Sequence, residues 1–371
     1  MKIAMIGWEY PPFKVGGLGT HCYYLTRSLA KLGVKIDFFA PKVSKENRKS
    51  DLENLRIIDV GETAIYPYGT ETKTIDGDFF TAVEKFNKLC YEKVNGNYDL
   101  IHCHDWLTAN AGIMLKEKLG IPLILTMHST EYDRSANLNP NPWFIDIEKN
   151  AMEKADRIIA VSHYTKRIIV ERYGIDENKI RVVHNGVKPI GEHGEKKKIV
   201  LYLGRLTMQK GVEFFLRAAK KVLEKEDCSF VVAGTGDMLP QLIHLSIALG
   251  IADKVMFTGP LTEDEVKHIY RISSVYVLPS VSEPFGITAL EAISAGTPVI
   301  ISKSSGVAEA LRNCLTADFW DVNEMANKIV ALLRYDALRK TLKENAKKEL
   351  RFLTWDRAAR KTLEVYQEVV S

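Results

Sequence analysis

Residues 283–291 read Glu-Pro-Phe-Gly-Ile-Thr-Ala-Leu-Glu, two glutamates wrapped around a Pro-Phe-Gly turn. VYVLPS (275–280) stands before them, a short apolar run of strand type; ISAGTPVIIS (293–302) follows, a helix tail and then another strand. The stretch therefore reads as strand, tight loop, helix. Gly286 lets a ligand approach the backbone where a Cβ would clash. Phe285 shapes the turn, and the amides of Gly286, Ile287 and Thr288 open a helix whose N-terminus favours an anion. Glu283 at the loop mouth and Glu291, about one turn into the helix, accept hydrogen bonds from hydroxyls on either side of that anion. Sugar, diphosphate and ribose in a row describe a nucleotide-sugar. The plainer alternative, two solvated acids on a surface loop, fits the strand-to-helix context poorly.

Upstream, KIVLYL (198–203) is strand-like, and GRLTMQKG (204–211) separates it from helical text. Arg205 and Lys210 thus stand in a loop at the carboxyl end of a strand, where open α/β sheets bind ligands. Arg supplies a forked contact and Lys a point charge, suited together to a leaving diphosphate. Gly204 flanks them, and Gly234 and Gly236 in VVAGTGD (231–237) admit a nucleotide beside the same sheet.

The 371 residues suggest two domains, and 46% apolar with 26% charged residues is ordinary for a globular chain with two cores. The net charge of +4 is spread evenly. Residues 1–190 hold 26 Lys/Arg against 24 Asp/Glu and the remainder 25 against 23, which argues against a basic half for nucleic acid or membrane. No apolar run approaches the ~18 residues of a transmembrane helix, and the first residues lack the shape of a signal peptide. The expectation is a cytoplasmic protein. Its five scattered cysteines read as free thiols. Cys103 lies between His102 and His104, but strand alternation puts the two histidines on one face and the cysteine on the other, against a zinc site there.

Strand and helix text alternate along both halves, which implies parallel sheets. In the first half KIAMIGWEY, VKIDFFAP, YDLIHCH, PLILTMH, RIIAVS and IRVVHNGV are strand candidates; in the second, 199–203, 229–233, 255–258, 275–278 and 298–301. Asp78 is an N-cap before an apolar stripe. With Asp76 it spells a DxD, which the cap explains without a metal. KPIGEHGEKKK (188–198) reads as a linker, giving a first domain over 1–187, a second over 199–353 and a terminal amphipathic helix over 354–371.

In order along the chain stand KVGGLGTH (14–21), HCHDW (102–106), TMHS (126–129), VVHNGV (182–187), GRLTMQKG, VVAGTGD and EPFGITALE. This ordered set resembles the retaining nucleotide-sugar glycosyltransferases of the GT-B fold, the family of glycogen and sucrose synthases, over nearly the whole length. The resemblance implies two Rossmann-like α/β domains facing across a cleft, with the last helix crossing back to the first. It implies a hexosyl group, glucosyl first, moved from an ADP- or UDP-sugar to an acceptor hydroxyl, with no metal or other cofactor. Lys14 inherits a donor-phosphate contact beside Gly16 and Gly17; His128 and Asn185 lie near the transferred sugar. Asp105 becomes an acceptor-side carboxylate, and Tyr132 and Arg134 shape the acceptor pocket. KVGGL and HDW favour an α-glucan acceptor; the brevity of the chain favours a lipid-linked, cell-wall or small-metabolite one. A noncatalytic sugar-binding protein would not need both glutamates and both cations. A dinucleotide oxidoreductase would need a more regular glycine fingerprint than GGLGTHC.

Overall fold

The computed structural model describes residues 1–12, 16–43, 47–61 and 78–370. Lys14 and Asp76 lie outside them. The chain divides into two compact units. The first comprises Met1–Glu131, Asn141–Asn185 and Trp355–Ser371; the second comprises Tyr132–Pro140 and Gly186–Thr354.

The sheet of the first unit contains β1 (Lys2–Ile6), β2 (Lys35–Pro41), β3 (Leu55–Val60), β4 (Leu100–His104), β5 (Leu123–Met127), β6 (Arg157–Ala160) and β7 (Ile180–Val182). Their order is β3-β2-β1-β4-β5-β6-β7. The second unit holds β8 (Lys197–Leu203), β9 (Ser229–Ala233), β10 (Val255–Gly259), β11 (Ser273–Leu278), β12 (Val299–Ser302) and β13 (Leu315–Ala317), in the order β10-β9-β8-β11-β12-β13. Every neighbouring pair in both sheets is parallel. Each sheet starts in its middle, runs to one edge, then returns to fill the other, so its strand order reverses between β1 and β4, or between β8 and β11. Such reversal points are where doubly wound sheets hold ligands.

Central strands buried on both faces read as continuous apolar runs. Thus Ile3, Ala4, Met5 and Ile6 are fully buried, as are Val200, Leu201 and Tyr202 in the other sheet. The alternation expected at 102–104 holds: the rings of His102 and His104 lie 4.5 Å apart on one face. Cys103 faces the helix Asp105–Leu119, where a Cβ on Gly112 would stand 2.6 Å from its Sγ. All five cysteines are free thiols. Asp78 caps the helix Phe79–Lys93 by accepting from the amide of Thr81 at 2.9 Å.

Three sequence expectations shift. The first strand ends at Ile6 and IRVVHNGV yields only Ile180–Val182. The edge strands β3 and β13 were not anticipated. The stretch 188–198 is fastened to the second unit and already contains the start of β8: Arg271 donates to the carbonyls of Ile190 (2.7 Å) and Gly191 (3.2 Å), and Glu192 accepts from Lys343 and Lys347. The terminal helix, Trp355–Val370, packs in the first unit against the helix Gly17–Lys31. There Ser28 Oγ donates to Asp356 at 2.8 Å.

Candidate active site

In the second unit the chemistry gathers where β8 and β11 end. After β8 the chain passes Gly204 and Arg205, makes a short 3-10 turn over Met208–Lys210, and enters the helix Val212–Leu223. Gly211 has φ +63°, and a Cβ there would stand 2.2 Å from the carbonyl oxygen of Pro279. Only glycine lets this turn lie against the loop after β11. The buried Gln209 locks the contact: its side chain donates to the Ser282 carbonyl at 3.1 Å, and its own carbonyl accepts from Val281 at 2.9 Å. This packing brings Lys210 Nζ to 2.6 Å from Glu283 Oε2, with Ser280 Oγ donating to the same oxygen at 3.0 Å. Both partners are largely shielded, at 16% and 10% side-chain exposure, so the attraction is screened less than in a surface pair. Glu283 is held from the other side as well, where its carbonyl accepts from Gly306 at 2.8 Å.

Gly286 caps the helix Ile287–Ser294 with φ +107°, and no side chain caps the helix. Its opening amides therefore remain for an anion. A Cβ at Gly286 would crowd Leu278 at 2.9 Å and Val307 at 3.1 Å, so the loop is pressed onto β11 as it turns. Thr288 is fixed by the hydroxyl of the buried Tyr276 at 2.8 Å. Glu291 lies in the second turn of the helix, where the buried Tyr270 hydroxyl donates to its Oε2 at 3.2 Å. Burial raises both phenols far above their usual range, so they act as donors at any physiological pH.

Gly234 and Gly236 have a packing role of their own. A Cβ on Gly234 would stand 2.0 Å from the Gly204 oxygen, and one on Gly236 2.2 Å from the Leu206 oxygen. They let the loop after β9 lie on the loop that carries Arg205. Leu206 donates to the Thr235 carbonyl at 2.8 Å, and Tyr202's hydroxyl to the Arg205 carbonyl at 2.7 Å.

In the first unit four histidines collect at the carboxyl end of the sheet. His104 ends β4, His128 follows β5, and His21 comes from the helix Gly17–Lys31. His104 Nδ1 lies 3.1 Å from His128 Nε2, and His21 Nδ1 lies 2.6 Å from Asn185 Oδ1. His102 is paired at both ring nitrogens, with Tyr366 and Thr126, each at 2.7 Å. Burial pushes His21 down to about 4 and His102 to about 3, and takes His104 and His128 well below the usual 6.5. All four imidazoles are neutral at pH 7.

Asp105, expected as an acceptor-side carboxylate, has a structural task in this unit. It is buried at φ +55°, and its Oδ1 accepts from the amides of His128 (2.6 Å) and Ser129 (3.4 Å). It sets the loop that carries His128. Gly16's amide donates to the buried Glu9 carboxylate at 3.3 Å. That amide therefore meets an anion of the chain's own. Tyr132 and Arg134 belong to the second unit, where their neighbour Asp133 accepts from Ser282 Oγ at 2.5 Å, one residue from Glu283.

The model of the glycosyl transferases group 1 matches residues 187–349, and that of Glycosyltransferase Family 4 matches residues 15–189. An uncharacterized glycosyltransferase of Methanocaldococcus jannaschii is 34% identical, over 99% of this chain and 98% of that one. The chain belongs to the group 1 glycosyltransferases. A D-inositol 3-phosphate glycosyltransferase of Salinispora arenicola is 28% identical, over 96% of this chain and 88% of its own length. Among solved structures, the sucrose-phosphate synthase of Thermosynechococcus elongatus aligns with a TM-score of 0.84 at 23% identity, over 99% of this chain and 98% of that one. The starch synthase IV catalytic domain of Arabidopsis thaliana, solved with ADP and acarbose, aligns at 0.77 and 18% identity, over 100% and 99%. These likenesses and the two parallel sheets give this glycosyltransferase the two-domain α/β GT-B fold. Its Arg205 loop, Lys210, Glu283, Gly286 and Glu291 are gathered by one sheet; His128 and Asn185 are gathered by the other. Sequence reasoning passed over His21, Tyr270, Tyr276 and Gln209. His21 closes the quoted KVGGLGTH; the two tyrosines gave only a strand and helix signal.

Proposed function

We propose that this glycosyltransferase moves a hexosyl group from an ADP- or UDP-sugar to an acceptor hydroxyl, with retention at the anomeric carbon and without a catalytic metal. The observation that carries the reading is the Lys210–Glu283 pair at the β8/β11 reversal point, beside an uncapped helix that bears Glu291. Lys210 and Arg205 neutralise the departing diphosphate, and the amides from Gly286 to Thr288 hold its oxygens. Glu283 orients the sugar hydroxyls and Glu291 the ribose. A double displacement would need a free carboxylate against the anomeric carbon. Glu283 already serves Lys210 and Ser280, which favours a same-face substitution in which the leaving phosphate takes the acceptor's proton.

The glucan acceptor suggested by KVGGL has a rival. Several curated relatives, at 26–28% identity over at least 95% of the chain, are D-inositol 3-phosphate glycosyltransferases. They favour a small phosphorylated polyol. The test is a thermal-shift screen with a panel of nucleotide-sugars in EDTA, since a ligand at 100 times its Kd stabilises a fold by ~2.7 kcal/mol. Transfer to inositol phosphates and to maltooligosaccharides follows with the sugar that binds. A shift with no nucleotide-sugar, or transfer that returns only with added Mg²⁺ or Mn²⁺, would overturn the reading.

A further inference from the structure

The histidines of the first unit make a site that glycosyl transfer does not call for. His21, His104 and His128 each offer one ring nitrogen, and the three lie within 4.8 Å of one another. Asn185 Oδ1 can only accept, so His21 carries its proton on Nδ1 and leaves a lone pair on Nε2. Among the described residues that Nε2 is buried with no hydrogen-bond partner. Buried polar atoms are normally paired, so the orphaned Nε2 of His21, beside the close His104 Nδ1–His128 Nε2 pair, marks a place prepared for something else. His102, satisfied at both nitrogens, stands outside the trio.

We propose that His21, His104 and His128 bind one divalent transition ion of the zinc class, and that the ion withholds His128 from the sugar. Three neutral imidazoles with no carboxylate among them suit Zn²⁺, Co²⁺ or Cu²⁺ and not Mg²⁺ or Ca²⁺. Tetrahedral bonds of ~2.0–2.1 Å set ligand nitrogens roughly 3.4 Å apart. The 3.1 Å between His104 Nδ1 and His128 Nε2 is already close to that spacing; His21 closes the remainder by turning toward them. The Asn185 amide is the outer partner that fixes the tautomer of a ligating histidine. Half-buried His128 gives the ion its way in. The fourth position is left for water or an anion. The withholding of His128 rests on the proposed transfer function; ion binding does not.

The test is Co²⁺ absorption and competition of Zn²⁺ against a chromophoric chelator, with the full chain. One ion per chain and the intense visible bands of four-coordinate Co²⁺ are expected. His21→Ala and His104→Ala should weaken binding by more than ~100-fold, and Asn185→Ala by ~10–100-fold. His244→Ala, at an exposed histidine, should leave it unchanged. Melting curves establish that each variant is folded, and the wild-type spectrum needs no variant. Absence of the bands in wild type, or loosening by His244→Ala equal to that by His21→Ala, overturns the site. If binding stands but saturating Zn²⁺ leaves transfer unaffected, the site is kept and the withholding of His128 fails.

Discussion

Lys210 and Glu283 hold one another at 2.6 Å, so neither can be changed alone. In the proposed reaction a donor diphosphate draws Lys210 away from the carboxylate. Removing Glu283 therefore frees the lysine for phosphate, while removing Lys210 leaves a largely buried carboxylate without its cation. Lys210→Ala and Arg205→Ala should each lower kcat by about 10²–10³, because the charge they meet develops on the leaving group. Steady-state kinetics decide it: an unchanged kcat with a raised KM would assign both to ground-state binding. Glu291→Ala should weaken the nucleotide-sugar and the free nucleoside diphosphate alike, since it loses the ribose hydroxyls. Glu283→Ala should slow transfer while free diphosphate binds as well as before, or tighter. Calorimetry of both ligands on both variants checks this, and equal loss of free diphosphate in the two would refute the division of labour.

Among the elements, the loop after β9 is the keystone of the loop that carries Arg205. Gly234 combines φ +128° with a Cβ position 2.0 Å from the Gly204 oxygen, whereas Gly250 has φ +68° and open space around it. Gly234→Ala should cost roughly 3 kcal/mol or more, from a backbone clash added to strain. Gly250→Ala should cost about 1–2 kcal/mol from conformation alone. Denaturant titration compares them, and equal costs would mean that the loop gives way easily. Much at this scale was legible in the chain. Apolar runs bounded by glycine marked the central strands, and Asp78 announced its helix by the capping side chain. β13 was not legible because three residues at a sheet edge carry no periodicity. β3 shares that edge position; its pairing with β2 supplies what its own pattern did not. The place of Tyr132–Pro140 in the second unit was hidden as well, since contacts such as the buried Asp133–Ser282 bond join residues 149 apart. The histidine cluster escaped for the same reason: alternation showed that His102 and His104 share a face, but nothing local brings His21, His128 and Asn185 to them.

Over the whole molecule, stability should carry the mark of Lys196. Burial pulls this ammonium down to about 8 from 10.5, with Glu192 opposing the shift and Lys343 adding to it. It is held by Thr297 Oγ1 at 2.6 Å and the carbonyls of Tyr270 and Ala295. A lowered pKa means that the fold prefers the neutral amine. The resulting penalty is full below pH 8 and is relieved as pH rises from 8 to 10.5. Comparing wild type with Lys196→Met by denaturant unfolding at pH 7 and 9.5, wild type should gain on the variant by up to ~1.4 kcal/mol per pH unit above 8, less what solvent screening removes. A constant difference across that range would refute it. The chain's path has its own consequence. The first unit is not finished until Trp355–Val370 arrives, since that helix brings Tyr366 to His102 and Asp356 to Ser28. Domains emerging from a ribosome ordinarily fold from the N-terminus onward. Here the second sheet is fully synthesised while the first still lacks its closing helix. The first unit should therefore complete its packing only after the whole second unit has been synthesised.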